Sequence, residues 1–169
     1  MRAMGSPADL VSLLKDLDAT LATAESLTGG RVAARVTNVP GSSAVYAGGV
    51  VSYQTQVKVD VLGVAASTVE QHGVVSAECA REMAAGVRRV LGTTYAVSTT
   101  GVAGPDRQEG KPVGTVFVGI AGPGGVEAVE LALDGDRATI QEATVDEALS
   151  VLAETIASDR RPAEDSALG

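Results

Sequence analysis

Apolar positions recur at two spacings along this chain, and each spacing predicts a kind of element. Leu10, Leu13, Leu14 and Leu17 fall at helical intervals after Ser6-Pro7. A helix therefore opens there, with serine as N-cap and proline in its first turn. Residues 21–24 are a short apolar run that reads as a strand. Residues 30–36 read as a helix, closed by the loop residues Asn38, Pro40, Gly41 and Ser42. Residues 45–51 read as a buried strand in which Gly48-Gly49 marks a bulge or a close approach.

A short helix follows over 55–62, ended by Gly63. Ser67 and Glu70 have the spacing of a capping box. A longer helix spans 76–90 and stops at Gly92; within it, Cys79 reads as a small buried residue. Residues 94–98 form a strand that runs into Thr99-Thr100-Gly101-Val102-Ala103-Gly104-Pro105, a glycine-rich corner, and then a polar loop to 112. Strands over 114–121 and 126–133 flank Gly122-Pro123-Gly124-Gly125, a hairpin signal. Asp134-Gly135-Asp136 then caps a long helix to about 156. Strands alternating with helices, plus one late antiparallel hairpin, predict an α/β domain with a mixed sheet and helices on both faces. The expected domain is residues 1–157, with 158–169 as a loose tail.

Composition narrows the packing. The chain has 169 residues, 45% of them hydrophobic but only 2% aromatic, with 20 glycines and no tryptophan. A core of Val, Ala, Leu and Ile suits helices packed closely on a sheet. The net charge of −8 and the absence of a basic stripe make nucleic acid a poor partner. No segment is long and apolar enough to cross a membrane, and no signal-peptide block is present, so a cytoplasmic protein is expected. One cysteine and one histidine leave no common zinc site and no intrachain disulfide. His72 precedes Gly73 and reads as a helix end rather than a catalytic base.

The chemistry concentrates at Thr23-Ala24-Glu25-Ser26-Leu27-Thr28-Gly29-Gly30. Ser26 is a hydroxyl that can attack a carbonyl if a base is near. The plainer reading makes Ser26 or Thr28 an N-cap and Gly30 a turn residue. A base has to be lysine, carboxylate or water. Of the three lysines, Lys15 and Lys111 read as solvated, and Lys58 follows the 45–51 strand. On spacing alone Lys58 is an exposed helix residue and Tyr53 a strand-end aromatic with its hydroxyl in water. The alternative is a Ser–Lys arrangement with a tyrosine nearby, which deprotonates serine without histidine. Both glycine-rich corners follow strands, so they can meet at one pocket, where backbone amides would serve an oxyanion or a phosphate.

Taken together, several segments resemble one family. They are the 23–30 corner, Pro40-Gly41-Ser42-Ser43, Gly48-Gly49-Val50-Val51-Ser52-Tyr53 with Lys58, Gly73-Val74-Val75-Ser76, Thr100-Gly101-Val102-Ala103-Gly104-Pro105, Lys111-Pro112-Val113-Gly114 and Gly135-Asp136-Arg137. The ordered set resembles the CinA C-terminal domain family of nicotinamide-nucleotide amidohydrolases (NMN deamidases, PncC-type), over roughly residues 7–157. The resemblance implies a three-layer α/β/α fold and hydrolysis of the carboxamide of nicotinamide mononucleotide, with no cofactor or metal. It implies Ser26 as nucleophile, with Lys58 and Tyr53 as its partners. It implies substrate contacts from Glu25, Thr28, Gly29, Gly30, Thr100, Gly101, Val102, Ala103, Gly104 and Arg137, and a homodimer. Three positions depart from the family pattern. Leu27 stands where cysteine is frequent, Asp106-Arg107-Gln108-Glu109 replaces a glycine pair, and Gln141 stands where many relatives carry arginine. The last two leave open a catalytically silent nucleotide-binding or competence- and damage-related regulatory module.

Overall fold

A computed structural model of the chain describes residues 5–160. Helix α1 (Pro7–Asp16) starts on a reciprocal cap: Ser6 Oγ accepts the Asp9 amide and the Asp9 carboxylate accepts the Ser6 amide. Leu10, Val11 and Leu14 are buried, but Leu17 is the C-cap and 37% exposed, so the apolar stripe ends sooner than its spacing predicts.

Five strands form one sheet among the described residues, in the order β2-β1-β3-β4-β5. Strand β1 (Leu21–Glu25) runs parallel to both β2 (Tyr46–Val51) and β3 (Tyr95–Gly101). Strands β4 (Thr115–Gly122) and β5 (Gly125–Ala132) are the expected late hairpin, with β4 antiparallel to β3. Helices α2 (Arg31–Thr37) and α6 (Arg137–Asp159) join α1 on one face, burying Val32, Val36, Ile140 and Leu152. The other face carries α5 (Ala77–Leu91) through Cys79, Ala80, Met83 and Val87. Helices α3 (Thr55–Asp60) and α4 (Ala66–His72) lie in the connection leading to α5. The architecture is the mixed-sheet α/β/α sandwich that the sequence predicts.

Small residues replace aromatic bulk in the packing. A Cβ on Gly119 would stand 2.2 Å from the Ala80 carbonyl oxygen, and one on Gly86 would stand 1.8 Å from that of Leu62. The first contact brings α5 onto the sheet at backbone distance, and Ser98 Oγ donates to the same Ala80 carbonyl at 2.6 Å.

Three local expectations change. Strand β2 is not buried: it is an edge strand whose residues alternate between half-buried and exposed, because it pairs only with β1. Its register does shift between Leu21 and Ala22, and a Cβ on Gly49 would meet Thr23 Oγ1 and Tyr46 Oη, so bulge and close approach are both present. Ser67 and Glu70 form no capping box. Helix α4 is capped at Ala65, whose amide donates to Glu82 at 3.0 Å. Helix α6 runs to Asp159, past the boundary read at 157, and Tyr95 Oη donates to the Asp159 carboxylate at 2.9 Å. The rest of the expected tail, 161–169, lies outside the described residues, as do residues 1–4.

This order positions the site. From β1 the chain passes through α2 to β2 on one side, while β3 lies on the other side and is reached through α5 on the opposite face. A crevice opens at the carboxyl ends of β1 and β3, the place where such sheets bind ligands.

Candidate active site

The β1 strand ends at Glu25 and the chain turns sharply. The Ser26 amide donates to Thr99 O at 3.0 Å, tying the turn to β3, and the Gly29 amide closes it onto Ser26 O at 3.1 Å. Gly29 (φ 57°) and Gly30 (φ 101°) both lie in the left-handed region, which glycine enters without steric cost. Neither Ser26 nor Thr28 is the helix cap. Gly30 is the N-cap of α2, and the amides of Val32 and Ala33 donate to the Glu25 carboxylate at 2.8 and 3.1 Å. Thr28 Oγ1 donates to the same carboxylate at 2.7 Å and lies 2.8 Å from Thr99 Oγ1. Glu25, Thr28, Gly29 and Gly30 therefore build the corner and do not line the cavity. With Glu25 on its first amides, the start of α2 does not face a ligand phosphate. Glu25 is 1% exposed. We expect Glu25→Ala to cost about 3 kcal/mol by leaving buried donors unpaired, a fall of roughly 6–12 °C in thermal midpoint by calorimetry.

Lys58 is the largest departure from the plain reading of its spacing. It is 1% exposed, and Nζ lies 2.9 Å from Ser26 Oγ, 2.6 Å from Ser52 O and 3.4 Å from Tyr53 O. Among the described residues no carboxylate is ion-paired with it. Burial lowers its pKa from the ordinary lysine value, with the fields of Cys79 and Glu109 opposing the fall. Nζ donates to the Ser26 hydroxyl and to both carbonyls; a deprotonated amine would keep two N–H donors for the carbonyls and turn its lone pair to the Ser26 hydroxyl. The nearby Cys79 thiol is pushed up to about 12, chiefly by burial, so it is inert as a nucleophile.

Ser26 and Lys58 open into a cavity of about 460 Å³, lined from both glycine-rich corners as the sequence predicts. Thr100, Gly101, Val102, Ala103 and Gly104 all reach it. Thr100 contributes no free hydroxyl, because its Oγ1 donates to Val74 O at 2.7 Å. Gly101 is required by packing, since a Cβ there would stand 2.6 Å from Thr115 O. Among the described residues the amides of Leu27, Ala103 and Gly104 donate to no protein acceptor, which leaves them for an oxyanion.

Tyr53 lines the cavity but is not in the proton path expected of it. It is 58% exposed, and its hydroxyl accepts Arg137 Nη2 at 2.7 Å; only its backbone carbonyl touches Lys58. Arg137, the first residue of α6, also donates through Nη1 to Gly104 O at 2.5 Å, so it ties the Tyr53 ring to the 99–105 corner at the cavity's edge. Gln141 does not reach the cavity: it is buried and donates to Leu27 O at 2.9 Å, holding the residue after Ser26. Among the described residues Arg107 and Arg137 face the cavity against the carboxylate of Asp106, a balance that favours an anionic ligand.

Several contributors escaped the sequence reading. Ser52 and Thr99 fix the dyad through backbone atoms, which no side-chain motif reports. Val74 and Val75 line the cavity from a segment, Gly73-Val74-Val75-Ser76, that carried the resemblance without a role. Among the described residues no group of His, Cys, Asp and Glu is placed to hold a metal ion, and no helix is long and apolar enough to cross a membrane.

Comparison with known proteins finds similar chains. The CinA C-terminal domain matches residues 5–156. A CinA-like protein of Frankia casuarinae is 49% identical over 148 residues, covering 88% of this chain and 34% of that protein. A CinA-like protein of Desulfosudis oleivorans is 50% identical over 127 residues, covering 75% and 31%. The chain thus spans about a third of the length of these curated relatives. Among solved structures, the competence damage-inducible protein A (ComA) of Klebsiella pneumoniae superposes with a TM-score of 0.85 at 34% identity, covering 90% of this chain and 98% of that one. The competence/damage inducible protein CihA of Agrobacterium tumefaciens gives 0.81 at 35% identity, covering 89% and 96%.

Proposed function

Because this chain belongs to the CinA C-terminal domain family, we propose that it is an amidohydrolase acting on nicotinamide mononucleotide, with Ser26 as nucleophile and Lys58 as its base. One observation carries this reading: a buried lysine with no ion-paired carboxylate among the described residues, 2.9 Å from a serine hydroxyl that lines the cavity. Burial lowers the pKa of this amine, which brings it toward the range a general base needs.

The steps follow from the geometry. Ser26 Oγ attacks the carboxamide carbon as Lys58 takes its proton. The carbonyl oxygen becomes an oxyanion, for which the unpaired amides of Leu27, Ala103 and Gly104 are the available donors. Collapse breaks the C–N bond, and Lys58 returns the proton to the leaving ammonia. Water then attacks the acyl-serine with Lys58 again as base, releasing nicotinate mononucleotide and restoring Ser26. Water consumed and ammonia released balance the reaction. Tyr53 acts at the edge through its bond to Arg137 rather than in the relay.

Arg137 uses two of its five donors within the protein, leaving others for a phosphate. Arg137→Ala is expected to raise KM for the mononucleotide about 10- to 100-fold with a smaller effect on kcat. Steady-state rates on the nucleotide and the corresponding riboside check this, since the riboside should be nearly indifferent to the change.

The test of the function is ammonia release from nicotinamide mononucleotide by the purified chain. Tight nucleotide binding by calorimetry without turnover would favour a silent binding module instead. Gln141, one reason to consider that module, lies away from the cavity. Homodimer formation and a cytoplasmic location remain part of the proposal, checked by sedimentation and by fractionation.

A further inference from the structure

The loop that departs from the family pattern is tied to the 73–75 segment, chiefly through Glu109. Glu109 adopts φ 55°, in the left-handed region, and its carboxylate accepts the amides of Val74 and Val75 at 2.9 and 2.8 Å. Gly73 makes room for this: a Cβ there would stand 2.6 Å from either carboxylate oxygen. The carbonyls of the same two valines are held as well. Thr100 Oγ1 donates to Val74 O, and Lys111 Nζ donates to Val75 O while standing 5.8 Å from the Phe117 ring centre. Gln108 and Lys111 pair as a single β-bridge across the loop. Both tied segments line the cavity, through Val74 and Val75 and through Asp106, Arg107 and Gln108.

We propose that Glu109 is a positioning residue, latching the 104–112 loop onto the 73–75 segment to build one wall of the cavity that holds Ser26 and Lys58. The kinetic consequence rests on the amidohydrolase reading; the latch itself rests on geometry. Without the carboxylate, two amides lose their acceptor and the loop keeps only the Lys111 tie to Val75 O on the 73–75 segment. Asp106, Arg107 and Gln108 then no longer stand in a fixed place around a ligand, and substrate affinity falls. The dyad, held separately by Ser52 and Tyr53 carbonyls, keeps its geometry.

The carboxylate has a second, electrostatic reach. Among the described residues, the titratable groups whose fields act on Lys58 Nζ are Cys79 from α5 and Glu109 from this loop, and Glu109 opposes the fall that burial imposes. Removing its charge makes Lys58 easier to deprotonate. The limb of kcat/KM that rises with pH as Lys58 becomes neutral then moves to lower pH.

Two variants separate the parts: Glu109→Ala removes acceptor and charge, and Glu109→Gln keeps an oxygen acceptor without the charge. Glu109→Ala is expected to raise KM about ten-fold or more with kcat within roughly three-fold. By hydrogen exchange the Val74 and Val75 amides should lose about ten-fold or more in protection while β1 and β3 keep theirs. Glu109→Gln is expected to give a smaller KM increase and the acid-ward shift of the pH limb. Retained protection at Val74 and Val75 in the alanine variant, or lost protection there with KM unchanged, overturns the latch. Protection lost equally across β1 and β3 also overturns it, because Glu109 would then support the whole fold. No turnover by the unaltered chain overturns the amidohydrolase reading instead, and the exchange measurement still decides the latch.

Discussion

Ser26→Ala is expected to lower kcat for ammonia release by about 10⁴- to 10⁶-fold, the scale seen when a nucleophile is removed from a preorganised site. The hydroxyl is the only part of Ser26 that the variant loses. Its amide still donates to Thr99 O and its carbonyl still accepts Gly29 N, so the corner keeps its shape. Binding of the mononucleotide by calorimetry should therefore survive within a few-fold, by roughly the logic of an interaction made only in the transition state. Undiminished turnover in this variant would sink the nucleophile assignment. Loss of binding along with turnover would instead mean that the hydroxyl holds substrate.

Lys58→Met should lower kcat/KM by about 10²- to 10⁴-fold, the usual contribution of a general base. Methionine fills the buried channel with a chain of similar length and no charge. The pH dependence is more discriminating than the rate. In the native chain kcat/KM should rise with pH to a plateau, with an apparent pKa below the ordinary lysine value of 10.5, because burial lowers it. That limb should vanish in the methionine variant. Stability gives an independent reading of the same group. Between its lowered folded pKa and the unfolded value, Lys58 binds more proton in the unfolded chain than in the folded one. Stability therefore rises with pH through that window and levels off above it. Denaturation across pH should show this slope in the native chain and its absence in Lys58→Met.

Glu25→Ala, although also at the Ser26 corner, belongs to a different class of effect. Its carboxylate carries the first amides of α2 and the Thr28 hydroxyl. The loss appears as a lower melting temperature, and activity falls only as the corner loosens. The family resemblance implied that Glu25 touches substrate, and the local pattern offered nothing against it. A carboxylate after a strand and before a glycine pair reads the same whether it points to ligand or back to a helix start.

The elements themselves were legible. Short apolar runs mark β1 and β3, helical spacing marks α1, start and stop residues mark α5 and α6, and Gly122 to Gly125 marks the hairpin, because such signals are local. The misreadings share one cause. Strand β2 looks buried by composition but is an edge, since edge or centre depends on strand order. Ser67 and Glu70 have capping spacing, yet the helix begins two residues earlier, at Ala66, on a cap supported by Glu82 from α5.

The sequence by itself determined the alternation of strands and helices, the glycine corners where the chain turns after β1 and β3, and the narrow choice of a base once histidine and cysteine were set aside. Only the tertiary structure decided that Lys58 is buried and meets Ser26 across 32 positions of chain. It also decided that the Tyr53 hydroxyl turns to Arg137, and that Glu109 meets Val74 and Val75. Hydrophobic period is a property of neighbours along the chain. Proton affinity and hydrogen-bond partners are properties of the surroundings, and here those come from the parallel pairing of β1 with both β2 and β3, which gathers the ends of distant segments at one crevice.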